Sequence, residues 1–368
     1  MRRYLLLPIL LLAACAKPST DGREPPAPTW EGTPDIVIRA ATPDAGGFSR
    51  VAGIAVDSGG RVFVADAQAN VVQVFDSTGK ALFRFGGPGE LAQPCCLAFD
   101  PAGRLWLRDA ANGRYNVYQA EADGVRLLRQ VPMNHPVTGS AAEITFDGRG
   151  GLIDAGSAPL ADGRSALLRF HQDSTGTVTR VDTIPVPPDD SIGQFTTSHD
   201  GTVLLLQQPY GPRFAVASSP LGGWASAVTT RYQIRWVVDG DTAVRTIRRD
   251  MIGPALSARE RARGDSALDQ QAARLGAARA ELPFGVPGSK PPLHTVLFDR
   301  EGRLWAQMSA ADEGANRADI WLPNGRRLAM AQWPGDIDLR HGWVGNRRAW
   351  GVRADSAGVR EVVRVVFR

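Results

Sequence analysis

A chain of 368 residues with 43% apolar and 22% charged residues can bury a large core, which excludes a disordered polymer. Its formal net charge of +4 includes Arg2 and Arg3, which lie in a segment expected to be removed, leaving 40 basic residues against 38 acidic ones. That balance is spread along the chain with no Lys/Arg run to track a phosphate backbone, so nucleic acid is not expected as a partner.

The chain opens with Met1-Arg2-Arg3, an apolar run over 4–12 broken only by Pro8, and then Leu12-Ala13-Ala14-Cys15. About eleven apolar residues are too few to span a bilayer, so 1–14 reads as a signal peptide. The last four residues resemble a bacterial lipobox, and the resemblance implies cleavage before Cys15 and a lipid on that cysteine. The expected location is the bacterial cell envelope, periplasmic or surface-exposed, with the membrane as partner through the lipid. Ala16 is not Asp, so retention at an inner membrane is not implied. Residues 15–34 are rich in proline with little to pack, and read as an extended tether before a folded domain over 35–368.

Within that domain the isolated apolar run 35–39 (DIVIR) precedes the segment 48–86. There, four runs of strand length (53–56, 62–65, 71–75 and 81–85) are divided by tight turns. Four short strands in about 40 residues is one propeller blade. Its core, apolar-Asp-x-x-Gly-Arg-apolar-aromatic, recurs. Asp57, Asp100, Asp147 and Asp299 each end a first strand, with Gly60, Gly103, Gly150 and Gly302 three residues on. Asp at a turn entry and Gly where φ is positive make each copy a hairpin. The segment 48–86, with Ala65-Asp66 and Asn70-x-x-Gln73-Val74-Phe75, resembles an NHL repeat. The second copy keeps Asp109, Asn112 and Arg114, but Arg108 replaces the usual small residue before the Asp. The resemblance fades after about 85 residues and implies a propeller fold rather than an activity.

A third copy runs over about 141–187, followed by an extra hairpin at 195–198 and 203–207 and a degenerate fourth copy over 214–247. Residues 257–282 break the β pattern. Ser257-Ala-Arg-Glu260 is a capping box, Ala- and Arg-rich sequence follows, and the helix is expected to weaken near Gly264. The fifth copy covers about 293–334. The remaining strands, 338–344, 348–352 and 361–367, lack a fourth, which 35–39 can supply. The expectation is an all-β, six-bladed propeller closed by its N-terminal strand, with a helical insertion near 255–282. Counting the hairpin as a blade gives seven.

Little here carries chemistry. Phe63, Trp106 and Trp305 share one repeat position and read as packing between blades, and the repeat aspartates read as turn formers. Cys95 and Cys96 are adjacent in a strand, where neighbours point to opposite faces, so they read as two small buried residues. A strained vicinal disulfide with a redox role is the other reading. The five histidines lack metal-ligand spacing, no G-x-S-x-G or P-loop is present, and no cofactor, metal site or catalytic residue is assigned. Loops converging at one end of the ring carry Gln68, Asn70, Asp109, Asn112, His135, Tyr210, Arg213 and His294. They suit a protein, peptide, glycan or small ligand. The expected role is thus an envelope-anchored binding or scaffolding module. The alternative is a metal-dependent propeller enzyme of the lactonase or amidating-lyase kind, for which Glu143 opens an inner strand.

Overall fold

The computed structural model describes residues 27–40, 47–135, 143–147, 149–159, 165–199, 202–238, 244–311, 314–355 and 357–368. The signal segment and Cys15 lie outside the described residues. In chain order, β1 (Thr29–Ile38) precedes β2 to β5 (Val51–Val56, Val62–Asp66, Val71–Phe75, Ala81–Gly86) and β6 to β9 (Pro94–Phe99, Leu105–Asp109, Arg114–Ala120, Val125–Pro132). Next come β10 to β13 (Thr145–Phe146, Leu152–Pro159, Ser165–Gln172, Val178–Pro185), then β14 and β15 (Gln194–His199, Thr202–Gln207). The strands β16 to β19 (Phe214–Ser218, Trp224–Val228, Gln233–Val237, Val244–Arg248) lead to helix α1 (Ala258–Leu275). The chain ends with β20 to β23 (Leu293–Phe298, Leu304–Met308, Ala315–Trp321, Arg327–Pro334) and β24 to β26 (Asp338–Gly345, Arg348–Ala354, Arg360–Phe367).

Among the described residues these strands form four antiparallel sheets of four, an eight-stranded sheet ordered β20-β21-β22-β23-β1-β26-β25-β24, and the β14–β15 hairpin. The architecture is all-β and propeller-like. First strands of consecutive sheets pack side by side, β2 against β6 and β24, and β16 against β20.

The repeated hairpin explains itself chemically. Asp57, Asp100, Asp147 and Asp299 each accept, through Oδ1, the backbone N–H four residues on, at 2.8–2.9 Å. The glycines that follow, Gly60, Gly103, Gly150 and Gly302, have φ of 83°, 76°, 81° and 73°, the left-handed region that penalises a Cβ. In two copies the other carboxylate oxygen accepts an indole N–H: Trp106 Nε1 to Asp100 at 3.0 Å and Trp305 Nε1 to Asp299 at 2.8 Å. These aspartates and aromatics are turn and packing groups, with Asp100, Asp299 and the aromatics buried and Asp57 and Asp147 half-buried.

Two expectations are corrected. The tether does not reach residue 34, because β1 begins at Thr29. Trp30 is 4% exposed, with its ring edge-on to Trp305 at 6.4 Å and the Arg347 guanidinium 4.4 Å from its centroid. β1 then pairs antiparallel with β26 over Gly32–Ile38, while Thr29–Glu31 runs parallel to β23. Helix α1 passes through Gly264 without a break, since that residue is buried where a Cβ would meet Val286 Cγ2 at 2.9 Å. Leu268, Ala272 and Leu282 pack against Leu206 of β15, so the helical insertion and the extra hairpin bury one another. The capping box of Ser257 and Glu260 is formed, and Glu260 also pairs with the buried Lys290. Removing one partner of such a pair costs on the order of 3–5 kcal/mol.

Candidate functional site

Four strands, β2, β6, β20 and β24, lose register as they approach one end of the ring. The breaks lie between Val51 and Gly53, Cys95 and Leu97, Leu293 and Thr295, and Asp338 and Trp343. A bulge leaves residues outside the ladder and re-aims their side chains. Here the freed residues are Ala52, Cys96, His294 and 339–342, a run that carries Arg340 and His341. The device turns a wall of packed strands into a chemically furnished rim.

Two cavities open at this end. One of about 310 Å³ is lined by Tyr210, Arg213, Gly264, Lys290 and His294 among others. The larger, about 750 Å³, is bordered by Arg50, Cys95, Arg108, Asp338, His341 and Arg360 among others. At the opposite ends of the first strands a narrow pocket of about 30 Å³, room for one water, lies between Glu143, Thr145, Leu297 and Arg300.

The rim is cationic. Arg213 is exposed, and its guanidinium has no hydrogen-bond or ion-pair partner among the described residues. Burial and then the like charge of Arg340 hold Arg213 below the usual arginine range. Arg340 itself clasps Asp338, with Nη2 to Oδ2 at 2.6 Å, and this pairing outweighs burial to leave the Asp338 carboxyl below its ordinary value. His294, half-buried in this company, is driven down to about 4. Burial is the main cause, and the cations Arg340, Arg213 and Lys290 outweigh the opposing Asp338. His341 is lowered as well, chiefly by burial. Both imidazoles are therefore held in the neutral form at neutral pH. In the narrow pocket Glu143 keeps an exposed surface, yet the protein packed around its carboxyl raises it to about 7 by burial, despite the pull of Arg300.

The wall between the second and third sheets holds a buried network. Arg108, 1% exposed, donates from Nε to Asp154 Oδ2 at 2.9 Å and from Nη2 to Oδ1. Tyr115 Oη donates to the same carboxylate and lies 2.9 Å from His135 Nε2, whose ring stacks on Phe170 at 4.2 Å. The remaining Arg108 nitrogen, Nη1, faces Cys95 Sγ at 3.8 Å.

The structure divides the residues expected at the site. Tyr210, Arg213 and His294 share the 310 Å³ cavity. His135 is 8% exposed and belongs to the buried network. Asp109 is fully buried and holds the loop before β6, accepting from Ala92 N–H at 2.7 Å as well as from Asn112 and Arg114. That position is structural and not a ligand contact. Asn70, at φ 58°, accepts from Gln93 N–H at 2.8 Å, while Gln68 and Asn112 are exposed beside it on the turns of the first two sheets. Sequence reasoning missed Arg108, Asp338, Arg340 and His341. Only the replacement of a small repeat residue by Arg108 signalled any of them.

Among the described residues no three His, Cys, Asp or Glu side chains converge to hold a metal ion, so the metal-dependent form of the enzyme alternative finds no donor set there. No family model matches the sequence, and no curated protein matches it. The NHL likeness of 48–86 thus stands on its own residues. Solved structures do resemble the chain. They include virginiamycin B lyase from Staphylococcus aureus, at 12% identity over 92% of this chain and 99% of that one, with a TM-score of 0.45. They also include a gluconolactonase from Xanthomonas campestris, at 13% identity over 93% and 98%, with a TM-score of 0.43. At these values the likeness says nothing of the site, and the propeller-like fold rests on the sheets themselves.

Proposed function

We propose that the chain is a six-bladed propeller of NHL type, held at an envelope membrane by a lipid on Cys15, and that its rim performs acid–base chemistry on a small anionic molecule. Six blades are supported by the eight-stranded sheet, which divides at the β1–β23 contact into two sets of four. The β14–β15 hairpin packs on α1 instead of extending the ring. The observation that carries the chemistry is Arg213, whose guanidinium has no partner among the described residues and lines a substrate-sized cavity beside a neutral imidazole, His294. A carboxylate or phosphate between Arg213 and Arg340 relieves their mutual repulsion and is positioned for proton transfer to His294. His294 held neutral beside an Asp338 carboxyl held below its ordinary value has the pattern of an acid–base site.

The test is a panel of carboxylates, phosphate esters and lactones incubated with the purified protein, with turnover followed by NMR. For a substrate found this way, Arg213→Gln is expected to raise KM at least about tenfold with kcat little changed. His294→Gln is expected to lower kcat by about a hundredfold or more. Turnover indifferent to His294→Gln sinks the catalytic role. Binding that depends on Arg213 without turnover of any panel member instead supports a binding module, the reading that the open cavities serve equally well.

A further inference from the structure

We propose that Cys95 and Cys96 form a redox-active vicinal dithiol at the edge of the larger cavity, with Cys95 attacking a low-molecular-weight disulfide and Cys96 resolving the adduct. Extended neighbours in a strand hold their side chains on opposite faces. Cys96 escapes that rule. It has φ +60° and stands unpaired between the Cys95–Arg108 and Leu97–Leu107 pairs, so the strict alternation is broken and both cysteines enter the same buried cluster. A non-glycine residue in this conformation is strained and persists only where its surroundings impose it. Other residues with positive φ, such as Asn70 and Asn346, sit at turns, whereas Cys96 lies inside a ladder. The neighbouring strand makes room: a Cβ on Gly53 would meet Cys96 N at 2.9 Å.

The second observation is Arg108. Its guanidinium is buried, locked on Asp154, and places Nη1 3.8 Å from Cys95 Sγ. The repeat places the small residue Ala65 at the equivalent position in the first sheet, opposite Gly53. The two sulfurs also differ in access. Cys95 borders the 750 Å³ cavity, whereas Cys96 is 3% exposed in the core between sheets. The hydrogen bond from Cys96 and the charge of Arg108 outweigh burial to bring Cys95 to about 7, while burial pushes Cys96 up.

In the exchange the Cys95 thiolate attacks one sulfur of RS–SR, the S–S bond breaks, and RS⁻ leaves. Cys96 then gives its proton to a departing thiolate and attacks Cys95 Sγ, expelling the second RS⁻. The protein loses two electrons and two protons, and the reagent is reduced to two RSH. Adjacent Cα atoms lie 3.8 Å apart, shorter than a relaxed disulfide prefers, so the bond formed is strained and easily reduced again. This suits a reversible site rather than a structural staple. The proposal stands on the sulfurs and Arg108, and is independent of turnover at His294.

Oxidised glutathione added to the purified full-length protein, read by intact mass and peptide mapping, tests it. The expected product has lost two hydrogens, carries no glutathione, and maps to the peptide containing both cysteines. Cys96→Ser is expected to trap one glutathione on Cys95, Cys95→Ser to take none, and Arg108→Gln to slow alkylation of Cys95 at neutral pH by about tenfold. Wild-type protein that stays fully reduced in excess oxidised glutathione overturns the proposal, as does equal labelling of the two single variants. Because the wild-type measurement needs no substitution, a variant that fails to fold leaves the decision intact.

Discussion

His294 acquires its chemistry from one unpaired position. Its neighbours Leu293 and Thr295 are bound in the ladder, and the register break between them leaves the imidazole among Arg213, Lys290, Asp338 and Arg340. The consequence for stability can be signed. A histidine driven from 6.5 to about 4 resists protonation in the folded state, so the unfolded chain binds more protons between those values. Stability should therefore rise from pH 4 to 6.5 and then level off, with His294 contributing no more than about 3 kcal/mol of the rise. In denaturant titrations at stepped pH, His294→Gln is expected to flatten this limb; an unchanged slope refutes the assigned environment. The sequence placed His294 with Tyr210 and Arg213 among the loop residues of one end, but neither its register break nor its burial was legible there. The repeat aspartates were legible because their hydrogen bonds are local, closing over four residues.

At the scale of elements, hairpins announce themselves and bulges do not. Asp-x-x-Gly specifies a turn through the backbone of the same few residues, so the strand pairs it joins could be placed in advance. A bulge depends on what packs beside the strand, as Gly53 beside Cys96 shows, and no pattern within β6 encodes it. The same contrast holds for closure. A missing fourth strand was visible in the count, and β1 pairs with β26 with Asp35 clasped by Arg364 at 2.7–2.8 Å. The parallel run of Thr29–Glu31 beside β23 was not visible, since it rests on Trp30 finding Trp305 far along the chain. Deleting 361–368 should expose both β1 and β25 and lower the melting midpoint by at least about 10 °C, with loss of a single cooperative transition. A truncated protein that melts cooperatively at the original temperature refutes closure by this strand.

For the whole molecule, the proposed arrangement is a rigid ring carrying its chemistry at one end and a lipid at the N-terminus of a short tether. With β1 starting at Thr29, fewer residues separate the ring from Cys15 than the proline-rich composition suggested, so the ring is expected to sit close to the lipid surface. Cys15→Ser should release the protein from membranes into the soluble fraction of fractionated cells. Continued sedimentation with membranes after carbonate washing counts against the lipid anchor.

The sequence by itself determined the all-β repeat, its turns, the capped helix and the expectation of export, because each is written in neighbouring residues and their periodicity. Tertiary structure decided how the site is assembled and charged. It drew His294 of β20, Arg340 of β24 and Arg213, just before β16, to one rim, and it set Arg108 against Cys95 across a broken ladder. Register breaks and burial arise only when sheets pack against one another, and they turned residues that looked ordinary in the chain into charged, neutral or reactive groups.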